Sequence, residues 1–256
     1  ETMPVDSLKV IILAAGMSSR LGKLTEQLPK SCLPIDGSIT MLERNLRILE
    51  KCGFESAVVV TGHAGNVIED FVNHRDSRMH IETMRNSEFA TKNNIYTCYL
   101  IRNNLDDNTL IMNSDLVISK DIIQLAVDRM KVSDESFMMI DDHNQVDEES
   151  MKVYLNDKGI ITRVNKSLDL EKSVGEYIGI LRLSKKDILE FVKSTEDILR
   201  NGGTDLYYED AIDRATDKLA VHCVSTEGIL WTEIDTLIDY NVAIQIASDL
   251  RSEIMS

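Results

Sequence analysis

Apolar and polar positions alternate in blocks along the first half of the chain. Leu8 and Val10 to Leu13 form an apolar run of strand length that breaks into the small residues Ala14-Ala15-Gly16. Leu42, Leu46 and Leu49 then recur at helical spacing between Met41 and Cys52, a segment closed by Gly53. The β-branched run from Ser56 to Thr61 predicts a second strand and Asn66 to Asn73 a helix. Met79 to Met84 reads as a strand, Asn94 to Arg102 as a helix, Thr109 to Met112 as a short buried strand and Lys120 to Met130 as a helix. Strands alternating with helices predict an α/β fold with a doubly wound, mostly parallel sheet, in which ligands sit at the carboxyl ends of the strands.

Beyond Ser133 the rhythm changes. Phe137 to Ile140, Lys152 to Leu155, Ile160 to Val164 and Glu176 to Leu183 read as strands, with a turn signal at Asn156-Asp157-Lys158-Gly159. They predict a small antiparallel insertion or lid over about residues 134–183. Helices from Lys185 to Leu199 and Leu206 to Ala215, a strand from Leu219 to Val224 and a helix from Leu237 to Leu250 complete the pattern. Repeats, low-complexity tracts and Pro-rich linkers are absent from the sequence, so residues 1–256 are expected to form a single domain.

Composition narrows the classes. With 43 acidic against 28 basic residues the net charge is −15, which argues against nucleic-acid binding because that needs a basic stripe. A triphosphate would have to be held by a locally basic loop and a divalent cation. Cys32, Cys52, Cys98 and Cys223 are scattered without a C-x-x-C, so neither a zinc site nor a disulfide framework is expected, and reduced thiols in a cytoplasmic protein fit better. Glu1-Thr2-Met3-Pro4 lacks the basic n-region of a signal peptide, and the sequence contains no apolar run of ~20 residues that would span a membrane. The histidines, His63, His74, His80, His143 and His222, read as packing and surface positions. Oligomeric state is not legible.

The richest chemistry lies after the first strand. Ala14-Ala15-Gly16 carries no side chain larger than methyl before Met17, and such a loop lets the main chain approach a ligand and form a nest for anionic oxygens. Arg20, Lys23 and Lys30 follow, so backbone donors and fixed cations together suggest a triphosphate. Two common phosphate loops do not fit. Ser18 and Leu21 stand where G-x-G-x-x-G needs its second and third glycines. The stretch from Gly16 to Lys23 has one residue too many for G-x-x-x-x-G-K-[ST], and Leu24 replaces the metal-binding hydroxyl.

Two acidic segments follow. Asp115, in Asn113-Ser114-Asp115, sits directly after a buried strand, where a metal would bridge it to phosphate oxygens; it also suits a helix cap or a turn. In Trp231-Thr232-Glu233-Ile234-Asp235 the alternation puts Glu233 and Asp235 on one side of an extended segment, while Asp235 also suits the cap of a helix beginning at Thr236.

Leu13-Ala14-Ala15-Gly16-Met17-Ser18-Ser19-Arg20-Leu21, Thr25, Pro29-Lys30-Ser31-Cys32-Leu33 and Gly37 together resemble the signature of the nucleotidyltransferase superfamily that makes nucleotide-activated sugars and alcohols. The resemblance implies a Rossmann-like nucleotidyltransferase fold with the insertion on the acceptor side. Asn86-Ser87-Glu88-Phe89, Asn93-Asn94-Ile95-Tyr96, Asn113-Ser114-Asp115-Leu116-Val117, Tyr207-Tyr208-Glu209-Asp210 and Asp239-Tyr240-Asn241 extend it to the cytidylyltransferases that activate phosphocholine and 2-aminoethylphosphonate.

That resemblance implies Mg²⁺ held by Asp115 and Asp235, with Glu233 as a third ligand. It implies nucleotide contacts from Leu13, Ala14, Ala15, Gly16, Met17, Ser18, Asn86, Asn93, Asn94 and Ser114, although Asn93 and Asn94 equally suit a helix N-terminus. Arg20 and Lys30 would hold the β- and γ-phosphates, with Lys152 as a further catalytic cation or a solvated strand residue. Met151, Tyr177, Tyr208 and Glu233 are the acceptor candidates. Met151 stands where the choline-type enzymes would supply an aromatic wall. A trimethylammonium wants rings and a primary ammonium wants oxygen acceptors, so the expected reaction is transfer of CMP from CTP to 2-aminoethylphosphonate. Phosphocholine, a sugar 1-phosphate, and a regulatory homologue that only binds nucleotide are the alternatives.

Overall fold

The first apolar run forms β1 (Leu8–Ala14), buried over nearly its whole length, in a computed structural model that describes residues 7–255. The reading of Glu1-Thr2-Met3-Pro4 lies outside the described residues. Two 3-10 segments, Ser19–Thr25 and Lys30–Cys32, lead to a short hairpin of β2 (Pro34–Asp36) and β3 (Ile39–Thr40). Helix α1 (Met41–Lys51) starts where the Thr40 hydroxyl accepts the Glu43 N–H at 3.1 Å, and it buries the predicted stripe of Leu42, Leu46 and Leu49. It stops at Gly53, whose φ of 92° is open to glycine at little cost.

The chain continues through β4 (Phe54–Thr61), α2 (Gly65–His74), β5 (His80–Arg85), α3 (Asn94–Leu100), β6 (Thr109–Asn113), β7 (Leu116–Ile118) and α4 (Lys120–Val132). Then come β8 (Ser136–Asp141), β9 (Lys152–Leu155), β10 (Ile161–Asn165), β11 (Gly175–Arg182), α5 (Lys185–Arg200), α6 (Tyr208–Asp213), β12 (Val221–Ser225), β13 (Trp231–Glu233) and α7 (Leu237–Asp249). Each strand and helix expected from the sequence is present with ends shifted by a few residues, and β2, β3, β7 and β13 are additional, the last within the segment read as extended.

The described residues group into two compact units. One comprises 7–90, 112–128 and 229–255, and the other 91–111 and 129–228. In the first, β1 pairs with β4 and β4 with β5, all parallel, so Ala14, Thr61 and Arg85 end their strands in register. Leu21, Leu33, Ile35, Met41, Val117, Ile234, Ala243, Ile246 and Ala247 form one buried cluster there. In the second unit β9 runs antiparallel to β10 and β11, β11 antiparallel to β8, and β12 joins β8 in parallel. The antiparallel pairings are those expected between 134 and 183. The four cysteines are free, and no helix among the described residues is long and apolar enough to cross a membrane.

Candidate functional site

Asp115 and Asp235 are brought together by a ribbon that is only three residues long. Strand β7 starts one residue after Asp115, β13 ends two residues before Asp235, and the two strands pair antiparallel with Glu233 opposite Leu116. The ladder continues one step further, the Ile234 N–H donating to the Asp115 carbonyl at 3.0 Å. Helix α1 fixes β7 from its other side. The buried Arg44 donates to the Ile118 carbonyl at 2.6 Å and Asn45 to the Leu116 carbonyl at 3.0 Å.

Neither aspartate is a helix cap. Thr236 caps α7, and Asp239 closes the capping box by accepting the Thr236 N–H at 2.7 Å and the Asp235 N–H at 3.0 Å. The Asp235 carboxylate is thereby left to the cations. Arg20 Nη2 lies 3.0 Å and Lys30 Nζ 3.1 Å from its Oδ1, and Lys30 Nζ lies 3.4 Å from Asp115 Oδ2. Burial disfavours the Lys30 ammonium, but the two carboxylates outweigh that cost and raise its pKa. The other Asp115 oxygen, Oδ1, is buried and has no hydrogen-bond partner among the described residues. Each of the four charged groups sits within three residues of a member of the same apolar cluster: Leu21, Leu33, Val117 and Ile234. Core packing therefore sets where the charges stand.

Leu13 and Ala14, the last residues of β1, and Ala15 after them are buried, while Gly16 is exposed. A Cβ at Gly16 would touch nothing within 4 Å, so that position is open to a ligand. Met17 is 46% exposed, and Ser18 takes a left-handed φ of 56°. Asn86 is buried; its N–H donates to the Thr61 carbonyl at 2.7 Å and its Oδ1 accepts the Glu88 N–H at 2.9 Å. Ser114 lies between Asn113 and Asp115 in the turn joining β6 to β7. Glu233 ends β13, and among the described residues no group of three or more histidine, cysteine or acidic side chains is placed to hold a metal ion.

In the second unit, Asn93 caps α3 by accepting the Asn94 N–H at 2.7 Å, and Asn94 Oδ1 accepts the Tyr208 N–H at 2.8 Å. Tyr177 and Tyr208 are buried and meet edge to face, their hydroxyls 2.7 Å apart. Beside them stands Glu209, 5% exposed, a residue the motif reading did not assign. The Met151 carbonyl accepts the Tyr177 N–H at 2.9 Å. Lys152 is not a solvated strand residue, being wholly buried. Its ammonium donates to the carbonyls of Glu148, Ser150 and Lys166, which takes up three N–H donors and leaves none for a phosphate oxygen without breaking a bond. Near it, burial and then the charges of Asp147 and Asp141 push the Glu176 carboxyl up to about 7. Burial of Glu176 and Glu209 is set by folding, and no spacing in the sequence announces it.

The profile of the MobA-like NTP transferase domain matches residues 10–182. A 2-aminoethylphosphonate cytidylyltransferase of Lancefieldella rimae is 26% identical over 237 residues, 91% of this chain and 90% of that protein. The CMP-5'-(3-aminopropyl)phosphonate synthase of Streptomyces rubellomurinus is 27% identical over 117 residues, 46% of this chain but only 18% of that protein. The solved structure of a CTP:phosphocholine cytidylyltransferase from Streptococcus pneumoniae superposes with a TM-score of 0.75 at 20% identity, covering 94% of this chain and 99% of that one. At that identity the structural match establishes the nucleotidyltransferase fold.

Proposed function

The chain belongs to the MobA-like NTP transferase family, and from that premise we propose that it transfers CMP from CTP to 2-aminoethylphosphonate, giving CMP-2-aminoethylphosphonate and pyrophosphate. The observation that carries this reading is the set of ion pairs joining Lys30 and Arg20 to Asp115 and Asp235. A triphosphate can take the place of the carboxylates for the two cations, and a divalent ion the place of the cations for the carboxylates. Every charge then keeps a partner through the exchange.

The acceptor's phosphonate oxygen attacks the α-phosphorus of CTP, and the bond to the bridging oxygen breaks with its electron pair leaving on pyrophosphate. The acceptor is already anionic, so no strong base is needed, and catalysis rests on positioning and charge neutralisation. Residues Leu13 to Ser18 hold the nucleotide, with Asn86 and Ser114 as further contacts. Arg20 and Lys30 neutralise the leaving pyrophosphate. Asp115 and Asp235 would hold Mg²⁺, for which the unpartnered Asp115 Oδ1 is a fitting ligand atom, and which supplies further neutralisation of phosphate oxygens. Lys152 is assigned to keeping Met151 and its neighbours in place. The acceptor's ammonium is assigned to Glu209 with Tyr177 and Tyr208.

Phosphocholine is the second reading, favoured by the rings of Tyr177 and Tyr208. Pyrophosphate release measured for CTP, UTP, ATP and GTP, each against 2-aminoethylphosphonate, phosphocholine and glucose 1-phosphate, tests the proposal. CTP with the aminophosphonate is the expected best pair. Release from none of the CTP mixtures would overturn cytidylyl transfer, and CTP binding without release would point to a regulatory homologue.

A further inference from the structure

The segment that carries Arg20 is held from outside the motif. Residues Ser19–Thr25 form a 3-10 segment broken at Gly22, whose φ of 58° and ψ of −126° interrupt the helix. Short 3-10 pieces have poor hydrogen-bond geometry, so their placement depends on ties to neighbours. One tie is internal: the buried Thr25 donates its hydroxyl to the Ser18 carbonyl at 2.8 Å, the same oxygen that accepts the Leu21 N–H at 3.2 Å. Ser18 itself stands at a left-handed φ that a non-glycine residue adopts only when its surroundings impose it.

The second tie comes from the turn after β4. His63 Nε2 lies 2.5 Å from the Thr25 carbonyl oxygen. A carbonyl can only accept, so the imidazole carries its proton on Nε2 and donates it. The base of this arm is rigid. Gly62, just before His63, packs so closely on the Ala15 main chain that an added Cβ would collide with the Ala15 carbonyl oxygen. On its other side the His63 ring leans on Phe89, the centroids 6.2 Å apart at 57°. A continuous path thus runs from the end of β4 through His63 and Thr25 to Ser18, the last residue of the loop that begins at Ala14.

We propose that His63 is a positioning residue for nucleotidyl transfer: its Nε2–H, through the Thr25 carbonyl, fixes the 18–25 segment so that Arg20 is presented to the triphosphate. The inference rests on the reading of this loop as the triphosphate site. His63 touches neither Arg20 nor the aspartates. Its effect is on the place of the segment.

His63→Phe keeps a ring against Phe89 and removes the donor, whereas His63→Gln returns an amide N–H at similar reach. In the nucleotide-free protein, amide hydrogen exchange at Leu21 should quicken about tenfold in His63→Phe, the weight of one hydrogen bond, with the amides of β1 and β4 unchanged. The same variant should raise KM for CTP by about tenfold at near-native kcat, and His63→Gln should recover most of both effects. Wild-type exchange and KM in His63→Phe would overturn the proposal, as would a His63→Gln as impaired as His63→Phe. Should His63→Phe fail to fold, Thr25→Val cuts the path at its next bond and must quicken exchange at Leu21 likewise. A wild-type protein that releases no pyrophosphate would defeat the functional reading alone, because the exchange measurement tests the brace without turnover.

Discussion

The Lys30 ammonium lies 3.1 Å from Oδ1 of Asp235, a residue 205 positions away in sequence. The contact places a cation between two carboxylates that the proposed chemistry gives to a metal. In the absence of nucleotide Lys30 therefore competes with any divalent ion for that place. Lys30→Met should lower pyrophosphate release by at least about a hundredfold, as loss of a preorganised charge at a transferring phosphate does. It should also tighten binding of Mn²⁺ to the nucleotide-free protein, read from the free-ion electron paramagnetic resonance signal. Unchanged Mn²⁺ affinity would mean that lysine and metal do not share the site.

The aspartates themselves give the complementary test. Asp115→Asn and Asp235→Asn remove charge while keeping shape, and the packing of Val117 and Ile234 that holds the segments is untouched. Turnover at saturating Mg²⁺ should fall by at least about a hundredfold with the melting temperature within a few degrees of wild type. Near-native rates in both variants would remove the metal assignment.

The loop, the cations and both aspartates were legible because each lies at the end of a strong pattern: an apolar strand, a P-K pair, an alternating segment. Their assembly was not. It depends on β7, three residues long and too short to show any periodicity, and on Thr236 and Asp239 together capping α7, a role for which Asp235 was also a candidate. Lys152 shows the opposite case. Its charge suggested a catalytic or solvated residue, and only the three carbonyls converging on it explain why a lysine is buried there. Partners such as Glu148 and Lys166 belong to loops whose course no local pattern encodes.

Close approach of two main chains at Gly62 makes a further expectation. An added Cβ would stand 2.7 Å from Phe89 Cβ and 2.9 Å from Ala15 Cα, both rigidly held. Gly62→Ala should cost about 1–3 kcal/mol, the usual penalty of overpacking, and shift the loop at Ala15. Chemical denaturation and KM for CTP measured on the same preparation check this. A variant with native stability and native KM would show that the turn yields freely.

Glu176 predicts a pH effect. A carboxyl whose pKa rises from 4.5 to about 7 on folding holds its proton more tightly in the native state, so its contribution to stability is complete below pH 4.5 and lost as pH climbs through 7. At 1.36 kcal/mol per unit the full change is about 3 kcal/mol. Glu176→Gln, which cannot ionise, should melt higher than wild type at pH 8 and about equally at pH 4.5. Melting curves that stay parallel across that range would show the carboxyl to be ordinarily solvated.

The choice of acceptor turns on what surrounds its nitrogen. A trimethylammonium is bound by ring faces free to enclose it, but the Tyr177 and Tyr208 hydroxyls are joined at 2.7 Å and their rings meet edge to face, an arrangement that packs the two against each other. Met151 adds no third ring. Glu209, buried beside both tyrosines, is an acceptor suited to N–H donors, which phosphocholine lacks. A charged hydrogen bond contributes about 1.5–3 kcal/mol, or roughly ten- to a hundredfold in specificity. The ratio of kcat/KM for 2-aminoethylphosphonate over phosphocholine, with CTP saturating, should fall in that range. Glu209→Gln should bring it toward unity by weakening the aminophosphonate alone. A wild-type ratio below one would give the site to phosphocholine and leave cytidylyl transfer standing, while a ratio unmoved by Glu209→Gln would place the ammonium elsewhere.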